Sequence, residues 1–138
     1  MSYQTTQESI RTAVETAKAA WSDYTLKVEY DNSEATQATD ANPYLKVDVV
    51  YLGGDQLDLG EAPLVEDSGF IALAACVKVG AGTAKAVKLL DHVRGYLELK
   101  DNLGAVRTHA AKLQKAYERN GMYYIPMLVG FWTQRATA

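Results

Sequence analysis

One stretch has the residue types and spacing to hold a phosphate. It is VKVGAGTAKAVKLLDHVRGYL, from Val77 to Leu97. A β-like run ends at Gly80-Ala81-Gly82, Thr83 and Lys85 follow, and a helical pattern begins. Strand, glycine loop and helix is the layout in which backbone amides and a helix N-terminus cradle phosphate oxygens. The detailed spacing fails, however. A P-loop requires glycine, four residues, glycine, lysine and then serine or threonine. Here Lys85 stands between Ala84 and Ala86. The dinucleotide fingerprint requires a third glycine three residues after the second, and Lys85 occupies that position. Thr83 therefore reads as a cap or first-turn residue, and the corner as a turn from strand into helix. No cofactor is expected. A small ligand-binding domain or enzyme using the Gly80–Gly82 corner remains the alternative reading of this stretch.

The other reactive residues are sparse. His92 sits beside Asp91, and His109 lies well along the chain. Two histidines without a Cys, His, Asp or Glu spacing pattern predict no metal site. Cys76 is the single cysteine, so no internal disulfide is available. Its place in an apolar run makes it a small buried hydrophobe. The G-x-S-x-G elbow is absent; a Ser–His–Asp triad is a matter of geometry that spacing does not address. No catalytic residue is assigned, and the chain is read as a non-enzyme.

The elements that must position these residues follow from periodicity. Thr5 to Glu8 has the form of a capping box. Ile10, Ala13, Val14, Ala17, Trp21 and Tyr24 then recur at helical spacing, predicting a helix that ends near Ser22 or Asp23. Leu26, Val28 and Tyr30 alternate as a short strand. The polar segment 31–43, DNSEATQATDANP, carries turn formers and no large apolar residue, and reads as an exposed, mobile loop. Leu45, Val47, Val49 and Tyr51 mark a half-buried strand that Gly53-Gly54 bulges or turns, with Leu57 and Leu59 as its continuation.

Ser68 to Val79 alternates with apolar residues on both faces, which predicts a strand that is central or covered on both sides. In the helix that follows, Ala86, Leu90, Val93 and Leu97 are expected to be buried, and Lys85, Lys88, Asp91, Arg94 and Glu98 exposed. Val106 to Tyr117 places Val106, Ala110, Leu113 and Tyr117 at helical spacing, which locally favours α. The last segment, GMYYIPMLVGFW, is an aromatic strand apolar on both faces. Pro126 lacks a ladder donor and predicts an edge or a bulge. Such a strand needs cover, from its own helices or from another subunit.

The bulk properties bound the partners. The 138 residues suit one domain, 1–138. Net charge is −3, and no lysine–arginine cluster is present, which argues against a nucleic-acid grip. No apolar run reaches the roughly 18 residues of a membrane span, and the polar first twenty residues predict no signal peptide.

Taken in order, these segments resemble the tail terminator proteins of long-tailed phages, the minor tail protein U type. The resemblance covers roughly Ile10 to Trp132. It rests on the N-terminal helix, Tyr30-Asp31-Asn32 with its polar loop, the strand pair around Leu45–Leu59 and Ser68–Val79, the Gly-x-Gly-Thr-Ala corner, and the final glycine-led aromatic strand. It implies a single-domain α/β (α+β) fold, with a mixed or antiparallel sheet of four to five strands flanked by the N-terminal and central helices. It also implies that Val106–Tyr117 is a strand paired with the last one, and that expectation is adopted over the local helical pattern. The implied role is structural: a hexameric ring that caps the completed tail tube, ends polymerisation and faces the head. The implied partners are further copies of the chain, the tail tube protein and a head completion or connector protein. DNA passes through without specific binding, and the location is the head-proximal end of the virion tail, by way of the host cytoplasm. Another head–tail connector or completion protein is the alternative. The residues expected at subunit contacts are Tyr123, Tyr124, Met127, Phe131 and Trp132 on the aromatic strand, with Lys85 and Lys88 meeting Glu66 and Asp67 of a neighbour.

Overall fold

The computed structural model describes residues 3–30, 42–56, 64–80, 83–101, 103–104, 106–119 and 121–136. The polar segment lies outside them except for Asn42 and Pro43, and Leu57 and Leu59 lie outside them as well.

Helix α1 spans Tyr3–Ala20. The chain is already helical at Tyr3, so Thr5 lies within the first turns and not at the boundary where a capping box would place it; its carbonyl accepts from the Ser9 hydroxyl at 3.0 Å. The helix stops before Trp21, whose N–H donates to the Lys18 carbonyl at 3.2 Å. The buried stripe is Thr6, Ile10, Ala13, Val14 and Ala17, the one-sided pattern of an amphipathic helix.

Strand β1 (Val28–Tyr30) runs parallel to β2 (Tyr44–Gln56). Strand β3 (Leu64–Lys78) lies antiparallel to β2 on one side and to β6 (Met122–Ala136) on the other. Helix α2 (Ala84–Leu97) follows β3. Strands β4 (Arg107–Leu113) and β5 (Tyr117–Arg119) both pair with β6. The result is one mixed sheet of order β1-β2-β3-β6-β4, with β5 beside β6. It has six strands, one more than the upper expectation, because the short β5 carries no apolar alternation by which to recognise it.

The Val106–Tyr117 segment is extended, as the resemblance implies. The backbone amide of Val106 donates to Leu103 at 2.9 Å, that of Thr108 to Lys100 at 2.9 Å, and that of Gln114 to Pro126 at 2.9 Å. The edge expected from Pro126 is corrected: β6 lies between β3 and β4, and Pro126 faces Ala74 without a register shift. The irregularity in the β4–β6 ladder falls opposite Val129 to Phe131, between Thr108 and Ala111. Pro126 is accommodated where the partner changes from β4, ending at Leu113, to β5, starting at Tyr117. The predicted bulge in β2 falls between Tyr51 and Gly53, where Gly53 has φ +118°. Leu52 there is largely exposed.

Both helices pack on one face. Their buried residues join Leu45 and Val47 of β2, Ile71, Leu73, Ala75 and Val77 of β3, and Ile125, Met127, Val129 and Phe131 of β6 in one core. In α2 the buried set is Ala86, Leu89, Leu90, Val93 and Leu97. Thr83 precedes α2 without a side-chain capping bond. At the corner Gly80 takes φ +90°, a conformation that costs a side-chain-bearing residue and costs glycine little.

Candidate functional site

Strand alternation places the even residues of β3 and β6 on the face away from the helices. Cross-strand register assembles them into rows. Asp48, Ala72, Leu128 and Lys112 form one row from β2 to β4. On one side of it lie Val50, Phe70 and Gly130; on the other, Lys46, Ala74 and Pro126. Ser68, Trp132 and Arg107 form a further row. Phe70, Ala72, Ala74, Leu128 and Trp132 are each half-buried. Among the described residues no helix lies over them. Of the two alternatives read for β3, central or covered on both sides, the first holds: it lies between β2 and β6, and among the described residues helices occupy one of its faces.

The aromatic residues at the rim of this face are held by cations. Tyr124 stacks on Tyr117 with ring centres 5.1 Å apart and planes 18° from parallel, and the Lys46 ammonium lies 5.8 Å from the Tyr124 ring. The Arg107 guanidinium sits 5.2 Å from the Trp132 ring. A cation over an aromatic face is attracted by the ring quadrupole. His109 lies against Gly130, where an added Cβ would come within 3.1 Å of the imidazole.

The expected contact residues separate into two groups. Tyr124 and Trp132 belong to the helix-free face, and Glu66, two residues before Ser68 on β3, shares it. Lys85 and Lys88 are exposed on α2. Met127 and Phe131 do not join them: each is 1 % exposed in the core beneath the helices. Asp67 is 3 % exposed, so its carboxylate is not available to a neighbour's lysine. Tyr123 is half-buried on the helix side and packs against the core. For Tyr123, Met127 and Phe131 the reason is common. Alternation sorts the residues of a strand into two sets, and in β6 both sets are apolar. Lys88 is also engaged within its own chain, 2.6 Å from the Asp23 carboxylate, and Lys85 donates to Asn42 Oδ1 at 3.2 Å. The sequence reading missed Phe70, Ala72, Leu128 and Arg107 as surface residues. The signal was present in the apolar even positions of β3 and β6.

The glycine corner borders a depression of about 400 Å³ lined by Val77, Lys78, Val79, Gly80, Thr83, Glu118 and Tyr123. Lys85 is not part of its wall. A larger one, about 530 Å³, lies at the end of α1, lined by residues that include Glu15, Lys18, Trp21 and Tyr24. His92 packs between the Trp21 and Tyr96 rings, with Nε2 2.8 Å from the Ala17 carbonyl oxygen. That carbonyl is one of the last four of α1, which have no partner within the helix. Burial and the neighbouring Glu15 carboxylate, to which its hydroxyl donates at 2.6 Å, push the Tyr30 hydroxyl well above the usual tyrosine range. Burial pushes the Cys76 thiol up to about 12, which removes the thiolate that a reactive cysteine needs. Among the described residues no group of three or more His, Cys, Asp and Glu gathers to hold a metal ion.

No family model matches the chain, and no curated protein matches it. Solved structures do. One is a protein whose name carries no functional description: the TM-score is 0.71 at 17% identity, over 98% of this chain and 97% of that one. Another is a chain of a structure described as the virion of a native gene transfer agent particle, with a TM-score of 0.54 at 17% identity, over 97% of this chain and all of that one. The fold is thus shared along essentially its whole length with a chain from a virion particle.

Proposed function

We propose that this chain is a structural protein of a phage-like virion, of the tail-terminator kind. The observation that supports this best is the full-length fold likeness to a virion chain. The one-sided sheet agrees with it: a subunit that leaves Phe70, Ala72, Leu128 and Trp132 uncovered by helices carries apolar area for assembly contacts beyond its sheet edges.

In this role six copies close into a ring through heterologous contacts, one surface of each subunit against a different surface of the next. The sheet supplies two unlike edges for such contacts, β1 and β2 on one side and β4 with β5 on the other. The ring caps the tail tube, stops its growth and presents its far surface to a head completion or connector protein. DNA passes through the channel. A subunit of net charge −3 has little reason to retain it. Nothing in the role requires a catalytic group.

Native mass spectrometry with negative-stain imaging tests the proposal. The expected result is a ring of six chains, alone or on the ends of cognate tail tubes. A chain that stays monomeric at every concentration and ignores tube ends would overturn it. Rings that bind connector proteins but not tube ends would move the assignment to a head–tail connector.

A further inference from the structure

We infer that the helix-free sheet face pairs with the same face of a second copy of this chain, about a two-fold axis that runs along the strands between β3 and β6. The inference does not rest on the virion reading, and it uses a surface that a ring closed through sheet edges leaves open.

Side-chain size is the first argument. In the rows that cross β3 and β6, one member is large and the other small. Over the four consecutive rows at the middle of this face, Ser68 stands beside Trp132, Ala72 beside Leu128 and Ala74 beside Pro126, and in the fourth the order reverses, with Phe70 beside Gly130. A two-fold axis along the strands lays β6 of one copy over β3 of the other. Trp132 then meets Ser68, Leu128 meets Ala72 and Phe70 meets Gly130. Facing sheets interdigitate when large residues oppose small ones, and two aligned sheets pack about 10 Å apart on this principle.

Charge is the second argument, and it selects the axis. Asp48 and Lys112 are both exposed and stand at opposite ends of the Ala72–Leu128 row. The same axis places Asp48 of each copy over Lys112 of the other, so both ends of the row are complementary at once. The competing axis, perpendicular to the strands, sets Asp48 on Asp48, Lys112 on Lys112 and Leu128 on Leu128. It opposes like charges and large residues together. The pairing is isologous, as in most closed dimers.

Cross-linking tests the geometry. Asp48 and Lys112 lie three strand spacings apart within one chain, roughly 14 Å, and Cys76, the only native thiol, is buried. Separate Asp48→Cys and Lys112→Cys proteins are mixed and treated with a bis-maleimide whose arm is about 10 Å, the spacing of packed sheets. Intact-mass analysis should show one Asp48→Cys chain joined to one Lys112→Cys chain, and neither variant alone should cross-link to itself to a similar extent. Sedimentation supplies the second measurement. Asp48→Lys or Lys112→Asp should weaken self-association by about tenfold, since each places like charges together at two symmetric sites. The double exchange Asp48→Lys with Lys112→Asp should restore it to within about twofold of the parent.

Homotypic cross-links equal to the mixed one, or a double exchange no better than the single ones, would overturn the inference. Rings of six that form without the mixed cross-link would overturn it while leaving the virion reading intact. A cross-linked pair of chains with no ring would do the reverse.

Discussion

The Thr108 hydroxyl lies 2.5 Å from the Leu97 carbonyl oxygen, to which it donates, and accepts from the Lys100 backbone N–H at 2.8 Å. One side chain thereby satisfies a carbonyl at the end of α2 and a donor in the turn beyond it, from a position 7 % exposed at the start of β4. Replacing Thr108 with Val keeps the shape and strands both groups. A buried polar group without its partner costs about 1–3 kcal/mol. Chemical denaturation of Thr108→Val should show an unfolding free energy lower by that amount, through a lower midpoint at an unchanged slope.

Gly69 is a second point of tight fit. A Cβ there would press into the Val50 carbonyl oxygen and come within 2.8 Å of the Phe131 ring. Both belong to packed strands that move together or not at all. Gly69→Ala should therefore destabilise the chain by roughly 1–3 kcal/mol, the range for overpacking a core. Gly95→Ala on the exposed face of α2, where an added Cβ meets nothing, should stabilise it by up to about 1 kcal/mol. Thermal melts of the two variants should move in opposite directions.

Cys76 gives a prediction in pH. Its thiol is raised by burial to about 12, above its ordinary value of 9.0, so the folded state holds the proton more firmly than the unfolded state does. The stability linked to it is complete below pH 9.0 and declines as pH rises toward 12. At pH 8 the native protein should react slowly with a disulfide reagent and the denatured protein rapidly. Equal rates in the two states would refute the burial of this thiol.

The aromatic residues of the helix-free face should govern self-association more than α2 does. Burying a large apolar side chain contributes roughly 1.5–3 kcal/mol. The Lys88–Asp23 pair, with both side chains well exposed, contributes about 0–1 kcal/mol. Trp132→Ala or Tyr124→Ala should shift sedimentation toward smaller species far more than Lys88→Ala, with far-UV circular dichroism preserved. An assembly that dissolves in moderate salt yet tolerates both truncations would put charge in control.

Lys85 should be dispensable. Its ammonium meets Asn42 on the surface and takes no part in the wall of the corner depression. Lys85→Ala should leave stability within about 0.5 kcal/mol of the parent, and isothermal titration with ATP or GTP should show no binding. Micromolar affinity that disappears in Lys85→Ala would restore the phosphate reading of the corner.

The sequence by itself determined the elements whose pattern has a single solution. The stripe from Ile10 to Ala17 and the stripe from Ala86 to Leu97 are apolar on one side and polar on the other, so each helix could bury only one face. The glycine spacing likewise departs from both phosphate-loop patterns, and that departure is legible in the sequence alone. Strands β3 and β6 are apolar on both sides, and there alternation names two faces without saying which one receives the helices. Only the tertiary structure put Met127 and Phe131 under α1 and α2 and left Leu128 and Trp132 outside. The same limit holds for Val106–Tyr117. Its local spacing fits a helix, but a ladder to β6 and the Thr108 bond to Leu97 satisfy its backbone in the extended form. Those partners are distant in sequence, and periodicity within one segment carries no record of them.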